Sequence, residues 1–299
     1  MNVVFKVDEE TKNKMIAYYA DKKKDKVIPY TIFQAVDNDT VVTLYTSGKV
    51  MFQGVSADVD ATMWKEMVGI SDTPKIDYSK YHTCSSVGSD EVGTGDYFGP
   101  IVVTASYVKL EDVEFLDSLG VGDSKKINDK TILKIAPEIA KRIKYRSLIL
   151  HNLEYNEKYS KDVNMNKIKA IMHNKMLYKL IQEEKPNYDY IIVDEFAREK
   201  RYYEYIKDDV NKQTGITFMT KAEDKNLAVA CSSIISRYLF LKEFDKLSDH
   251  LGLPLLKGAG PDVDKVGQEV VEKYGEEKLK EVAKLNFANT SRILRTMIF

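Results

Sequence analysis

From residue 83 onward, apolar strand-like runs alternate with amphipathic helical stretches, a pattern that few folds accommodate. Two runs, CSSVGSDEVG and PIVVTASYV, come first and are separated by a turn too short for a helix, so we expect them to pair antiparallel. Helical patterns follow near 128–143, 166–183 and 226–246. Strand patterns lie among them at 145–152, 188–196 and 215–220. This order predicts an α/β fold with a mixed, partly parallel sheet flanked by helices, and the segment 262–299 adds further helices.

The first 69 residues follow a different pattern. A strand at 2–7 precedes a helix that Asp8 can cap, three strands follow within 30–54, and Ser56 can cap a helix that ends at Met67. We therefore predict a small α+β domain over residues 1–69. Residues 70–82 are polar and lack a period, which predicts a linker, and residues 83–299 form the larger domain.

The composition excludes several classes of protein. Lys and Arg total 45 against 46 Asp and Glu, so bulk positive charge cannot attract nucleic acid, although a local basic face remains open. No apolar run approaches the roughly 20 residues of a membrane span, and the N terminus lacks the pattern of a secretion signal. Cys84 and Cys231 form neither a disulfide framework nor a zinc pattern. We expect a cytoplasmic protein that does not bind a membrane.

Carboxylates stand at the ends of three predicted strands. Asp90 and Glu91 close the first strand of the larger domain, Asp194 ends YIIVD, and Glu223 follows GITFMT at the start of the long helix. Ligands gather at the carboxyl ends of parallel strands, and oxygen ligands suit hard divalent cations. Carboxylates that meet at one edge fit a two-metal site for phosphodiester hydrolysis. Each acid taken singly also fits an ordinary turn or helix cap.

Neighbouring residues on a strand point to opposite faces. Asp90 and Glu91 therefore cannot both direct their side chains at one ion unless the strand bends or ends there. Glu91 then contributes either through its backbone carbonyl or to the other ion.

Several motifs together resemble the type 2 ribonucleases H. SDEVGTGDYFGPIVV is similar to the family's first motif, Asp-Glu-Val-Gly-x-Gly. Thr94 at its centre, followed by DYFGP, resembles the ribonuclease HIII branch, since ribonuclease HII usually has arginine there. Glu223 also matches the HIII branch, because ribonuclease HII has aspartate at that position. The likeness continues through GDSKKIND, IIVDEFA, TKAEDKNLAVACSSIISR, KGAGPDVD and NFANTSRIL, and so covers about 80–299.

The resemblance implies a ribonuclease H fold and an endoribonuclease that depends on Mg²⁺ or Mn²⁺. Its substrate would be the RNA strand of RNA/DNA hybrids, cut to leave 3′-hydroxyl and 5′-phosphate ends. The resemblance makes four residues catalytic and metal-binding: Asp90, Glu91, Asp194 and Glu223. It also implies that the first domain is similar to half of the TATA-binding protein and helps to hold the hybrid. We expect a monomer with no obligate protein partner.

Substrate contacts are predicted in two places. The 2′-hydroxyl distinguishes RNA from DNA, and the backbone of Gly93, Thr94 and Gly95 is the candidate reader, because glycine lets the chain approach closely. The resemblance favours Ser124 and Lys125 as substrate-binding residues, although chemically they also fit a helix cap and a surface lysine. The histidines are expected to be surface or structural residues. His173 is set apart because its helix is expected near the site.

Two other functions stay open. A ribonuclease HII-like enzyme would cut efficiently at a single ribonucleotide within DNA, which Thr94 in place of arginine argues against. A non-catalytic hybrid-binding module would be indicated by the loss of one acid. All four acids are present, which argues against that reading.

Overall fold

A computed structural model describes residues 2–24, 28–70, 78–122 and 127–296 of the chain. The chain forms two compact units. The first contains Met1–Asp77 and Glu195–Glu204, and the second contains Tyr78–Asp194 and Tyr205–Phe299. The first unit thus includes a segment that directly follows Asp194 in the chain.

The first unit has the predicted order of strand, helix, three strands and helix. Its elements are β1 (Asn2–Lys6), α1 (Glu9–Tyr18), β2 (Thr31–Asp37), β3 (Thr40–Tyr45), β4 (Lys49–Gly54) and α2 (Ala57–Met67). The sheet is antiparallel throughout, in the order β1-β4-β3-β2. Asp8 caps α1 as expected, because its carboxylate accepts a hydrogen bond of 2.8 Å from the Thr11 amide.

One face of this sheet carries the core of the first unit. Phe33 and Phe52 are buried there among other apolar side chains, together with Trp64 of α2. The Trp64 indole N–H donates to the Tyr19 hydroxyl at 3.1 Å, so its polar atom is paired inside the core.

The second unit contains the predicted mixed sheet. Its strands are β5 (Ser86–Val92), β6 (Ile101–Val108), β7 (Lys144–Leu150), β8 (Tyr190–Asp194) and β9 (Ile216–Met219). They lie in the order β7-β6-β5-β8-β9. β5 pairs antiparallel with β6 and parallel with β8, and β8 pairs parallel with β9. The α/β class and the antiparallel first pair are confirmed.

The other helices follow residue 78. They are α3 (Ser79–His82), α4 (Val113–Ser118), α5 (Asp129–Arg142), α6 (Asn152–Lys158), α7 (Met165–Glu184), α8 (Glu199–Tyr205), α9 (Leu227–Leu251), α10 (Pro261–Tyr274), α11 (Leu279–Val282) and α12 (Ala288–Thr296). Within the described ranges, none of the helices is long and apolar enough to cross a bilayer.

The central strand β5 lies between α9 on one face and α7 on the other. α9 approaches closely because Gly88 has no side chain: a Cβ there would lie 2.3 Å from the Val229 nitrogen. The Ser232 hydroxyl then donates to the Gly88 carbonyl at 3.0 Å. Ser89, the next residue, turns its hydroxyl toward α7, to 2.7 Å from His173. The end of β5 is therefore flanked by both helices.

The structure adds detail that the periodicity did not predict. α3 lies inside the stretch 70–82 predicted as a linker, and residues 71–77 of that stretch lie outside the described residues. α4, α6 and α8 span seven residues or fewer, too short for an amphipathic period to stand out.

Candidate active site

Parallel pairing of β5, β8 and β9 places their carboxyl ends at one edge of the sheet, as predicted. Asp90 and Glu91 lie near the end of β5, and Asp194 is the last residue of β8. Glu223 lies in a short 3-10 turn after β9. The prediction that it stands at the start of the long helix is corrected here, because α9 begins only at Leu227, where Asn226 caps it.

Asp90 occupies the α9 face of β5. Its carboxylate is hydrogen-bonded by the Ser233 side chain and accepts the Glu91 amide at 2.8 Å. Burial raises the pKa of Asp90 well above its usual range, and the charges of Glu91, Asp194 and Glu223 raise it further. These four acids are therefore close enough to repel one another, as the sequence predicted.

Asp194 and Glu223 share this environment. One Asp194 oxygen accepts the Ala222 amide at 3.0 Å. Burial nevertheless raises the pKa of Asp194 to about 6, with help from the charges of Glu223 and Glu91. Burial also raises the pKa of Glu223, although the positive charges of Lys221 and a second nearby lysine act to lower it.

Glu91 faces α7, on the opposite side of β5 from Asp90. Lys169 donates to one carboxylate oxygen at 2.7 Å, and His173 Nε2 lies 2.8 Å from the other. Burial opposes ionisation of Glu91, but Lys169 and His173 together outweigh it and lower the pKa of Glu91 to about 2. The side chains of Asp90 and Glu91 thus lie on opposite faces of β5, as the alternation along a strand predicted.

His173 is a structural residue of this site. It is fully buried, and its Nδ1 lies 2.7 Å from the Ser89 hydroxyl, which also donates to the Thr104 carbonyl at 2.9 Å. Sequence reasoning missed Lys169. The signal was its spacing of four residues from His173, which puts both side chains on one side of a helix.

The turn after β5 carries the predicted backbone reader. Gly93 has φ +96°, and a Cβ there would lie 2.2 Å from the Pro100 carbonyl oxygen, so packing requires glycine. Among the residues that the structure describes, none has an atom within 4 Å of a Cβ placed on Gly95. Packing among the described residues therefore does not require glycine at position 95. Ser124 and Lys125 lie outside the described residues.

A cleft of about 440 Å³ opens beside the acids. Its lining includes Glu91, Gly93, Thr94, Gly95, Asp129, Glu223, Ser233 and Arg237. Arg237 is held by a two-pronged ion pair with Asp129, at 2.9 and 3.2 Å. The glycine turn and two of the four acids, Glu91 and Glu223, thus line the cleft together.

The chemistry of the donors fits a hard divalent cation. Asp90, Asp194 and Glu223 are oxygen donors whose pKa values are all raised by burial, so a bound cation would relieve their mutual repulsion. Among the residues that the structure describes, no three His, Cys, Asp or Glu side chains already stand in a metal-binding arrangement.

Comparison with known proteins gives a consistent result. Residues 87–290 match the family model for ribonuclease HII, and residues 2–72 match a domain of unknown function, DUF3378. Ribonuclease HIII of Bacillus cereus (strain ATCC 14579) is 40% identical, with 96% of this chain and 97% of that protein covered.

Solved structures agree in fold. Bst-RNase HIII in complex with Mn²⁺ superposes with a TM-score of 0.72 at 37% identity, covering 99% of both chains. Aquifex aeolicus RNase H3 superposes with a TM-score of 0.56 at 23% identity, covering 95% of this chain and 100% of that one, a likeness of fold alone.

Proposed function

This chain belongs to the ribonuclease HIII branch of the type 2 ribonuclease H family, and we propose that Asp90, Glu91, Asp194 and Glu223 carry the reaction. The protein is an endoribonuclease that hydrolyses the RNA strand of RNA/DNA hybrids, with Mg²⁺ or Mn²⁺ as cofactor. The observation that supports the residue assignment is the set of buried, mutually repelling carboxylates at one edge of β5, β8 and β9.

Asp90, Asp194 and Glu223 are the side chains proposed to hold the divalent ions. Bound there, divalent ions would supply activation of the attacking water and stabilisation of the leaving oxygen. The chain fixes the donors in advance: Ser233 hydrogen-bonds Asp90, and the Ala222 amide holds one oxygen of Asp194. Fixed donors lower the cost of assembling the site when the hybrid arrives.

Glu91 acts from the other face of β5. Lys169 and His173 keep its carboxylate ionised and turned toward α7. Its contribution to the metal site is therefore either its backbone carbonyl or a carboxylate that reaches the second ion. Glu91→Gln keeps the carbonyl and removes the charge, but it also leaves Lys169 with a neutral partner; full activity in a folded Glu91→Gln protein would therefore favour the carbonyl.

The backbone of Gly93, Thr94 and Gly95 is proposed to contact the hybrid at a 2′-hydroxyl. The open space at Gly95 and its place in the cleft support this assignment. Ser124 and Lys125 remain predicted substrate contacts.

The first unit is proposed to hold the hybrid on its open sheet face. Side chains alternate along the strands, so the residues between the buried ones share this face. Lys6 and Lys49 are partners in the register, and Tyr45 and Met51 lie on the same face, whereas Phe33 and Phe52 belong to the core. No acid is present among the accessible residues of this face, which are Asn2, Val4, Lys6, Gln34, Val36, Val41, Tyr45, Lys49, Met51 and Gln53.

The residue assignment is tested by cleavage of a labelled RNA/DNA hybrid with Mg²⁺, with Mn²⁺ and with chelator. Asp90→Asn and Asp194→Asn should each lower kcat by at least about a thousandfold while hybrid binding persists, because a metal ligand contributes several kcal/mol. Asp208→Asn, at an exposed acid of the same unit, should cut normally. Full activity in either active-site variant would remove that residue from the metal site.

A second duplex, DNA with a single ribonucleotide, separates the related enzymes. Strong cutting of the hybrid and weak cutting of this duplex would support the HIII assignment. Strong cutting of both would indicate HII-like activity. Hybrid binding without any cutting would indicate a binding module.

The open face is tested with Lys6→Ala combined with Lys49→Ala. Loss of two phosphate contacts should weaken hybrid binding and reduce the slope of log K against log salt by up to about 2. The control is Lys12→Ala with Lys14→Ala on α1, which lies on the other side of the sheet. Equal slopes in both double variants would count against this face.

A monomer without an obligate protein partner, located in the cytoplasm, completes the proposal. Light scattering on the eluting protein tests the oligomeric state, and fractionation of cells tests the location. A stable dimer at micromolar concentration would contradict the first part.

A further inference from the structure

The turn that follows the catalytic strand is held by a segment from near the C terminus. The Tyr97 amide donates to the Gly258 carbonyl at 2.8 Å, and the Gly258 amide donates back to the Asp96 carboxylate at 2.6 Å. Gly258 belongs to KGAGPDVD, a motif that the proposed chemistry does not use.

A second C-terminal segment pairs with the same turn. The Gly99 amide donates to the Val282 carbonyl at 3.0 Å, and the Lys284 amide donates to the Tyr97 carbonyl at 2.9 Å. Phe98 forms an isolated antiparallel bridge with Ala283. We call residues 257–260 and 282–290 the C-terminal clamp.

Lys284 places a buried amino group at the centre of this clamp. Its side chain is fully buried, and its Nζ lies 2.8 Å from the Asp96 carbonyl and 2.6 Å from the Gly99 carbonyl. Burial lowers the pKa of Lys284 to about 7, against the opposing charge of Asp96. One side chain thus ties both ends of the turn 96–99 together.

α6 supports the same arrangement. Asn152 donates to the Gly99 carbonyl at 2.9 Å, and Asn156 donates to the Ala283 carbonyl at 2.8 Å. The Tyr97 hydroxyl lies 3.1 Å from the Thr290 hydroxyl. These contacts hold the clamp in one register against the turn.

Pro100 connects the clamp to the Gly93–Gly95 turn. The space beside Gly93 is filled by the Pro100 carbonyl, so the position of residues 99–100 sets the position of Gly93 and of the backbone that follows it. Lys284 fixes Gly99, the neighbour of Pro100. A displacement at Lys284 is therefore passed to Gly93, Thr94 and Gly95.

We propose that Lys284 is a positioning residue for hybrid cleavage, which fixes the Gly93–Gly95 backbone against the substrate through the turn 96–99. This inference rests on the proposed function of that backbone. A buried amine is a costly way to stabilise a fold, because methionine would fill similar space without a polar group that must be desolvated. Two donors aimed at two carbonyls instead specify one shape of the turn.

Lys284→Met is the principal test, and Lys280→Met is its matched control on the same segment, where the ammonium is solvent-exposed and pairs with Glu277. We expect Lys284→Met to lower kcat/KM on the hybrid roughly 10- to 100-fold, since small displacements of positioned groups have effects of that size. Mn²⁺ affinity, measured by calorimetric titration, should stay within about twofold because the acids are untouched. Lys280→Met should leave both quantities unchanged.

Two milder variants cover the case in which Lys284→Met does not fold. Thr290→Val removes the Tyr97 contact with a side chain of the same shape and should lower kcat/KM a few-fold. Lys284→Gln removes the charge but keeps an amide donor, and should lie between Lys284→Met and the unaltered protein. Unchanged kcat/KM in folded Lys284→Met, or in both milder variants, would overturn the inference.

The outcome also distinguishes this inference from the proposed function. If the unaltered protein and Lys280→Met fail to cut the hybrid, the proposed function fails. If both cut normally and folded Lys284→Met cuts equally well, only the clamp inference fails. A parallel fall in kcat/KM and Mn²⁺ affinity would also overturn it, because that result indicates general loss of structure.

Discussion

The two faces of β5 treat adjacent carboxylates in opposite ways. Asp90 on the α9 face lies among other acids, and burial together with their charges raises its pKa. Glu91 on the α7 face meets Lys169 and His173, which overcome its burial and lower its pKa to about 2. Residue type and sequence position are nearly the same, so the packed helix decides the state of each acid.

The opposite pKa shifts of Asp90 and Glu91 indicate two different roles at the end of β5. The α7 face is neutralised by the chain itself, so it is complete when the protein folds. The α9 face leaves Asp90, Asp194 and Glu223 repelling one another, and this is the face that we propose a divalent ion completes.

The largest expected effect follows from breaking the neutralised face. Lys169→Met should destabilise the protein by about 3–5 kcal/mol at pH 7, because it removes one partner of a buried ion pair. The folded pKa of Glu91 lies below its usual 4.5, so the stability it contributes is present above pH 4.5 and is lost as pH falls toward 2. The gap between Lys169→Met and the unaltered protein should therefore shrink over that window.

Urea unfolding at pH 7 and near pH 3 measures this gap. Lys175→Met, exposed on the same helix, is the control and should lose little stability at either pH. Equal stability of Lys169→Met and the control at pH 7 would show that Lys169 does not neutralise Glu91.

This contrast shows what the sequence can and cannot predict. The alternation of strand residues predicted that Asp90 and Glu91 face apart, and the order of strands predicted which acids share an edge. Lys169 could not be paired with Glu91 in advance, because the contact spans 78 positions and depends on how α7 packs. The membership of Glu195–Glu204 in the first unit was likewise set by tertiary packing.

The second prediction concerns the face left for a cation. The pKa of Asp194, about 6, lies above its usual 3.8, so the folded protein binds this proton more tightly. Without metal, stability should fall as pH rises from 3.8 through 6, and a divalent ion should offset that loss only where Asp194 is ionised. A divalent ion at a hundred times its Kd should add about 2.7 kcal/mol to the free energy of unfolding.

Thermal unfolding with and without Mn²⁺ at pH 5 and pH 8 measures this effect. The rise in Tm should be larger at pH 8 in the unaltered protein and in Asp208→Asn, and it should be nearly lost in Asp194→Asn. An equal rise at both pH values would mean that these carboxylates do not set the metal affinity.

The last prediction extends the comparison to a third buried ionisable group. Glu91 is paired with Lys169 and His173, and Asp90 lies among other acids, whereas Lys284 meets two neutral carbonyls. Its pKa of about 7 lies below its usual 10.5, so between these values the unfolded chain holds a proton that the folded one lacks. Stability should rise with pH across that window by at most about 1.4 kcal/mol per pH unit. Neutral lysine still offers two N–H groups, so both carbonyl bonds persist.

Denaturant unfolding at pH 7, 8 and 9 should show this rise of stability with pH in the unaltered protein and in Lys280→Met, and a smaller rise in Lys284→Met. Parallel curves would mean that Lys284 keeps its proton.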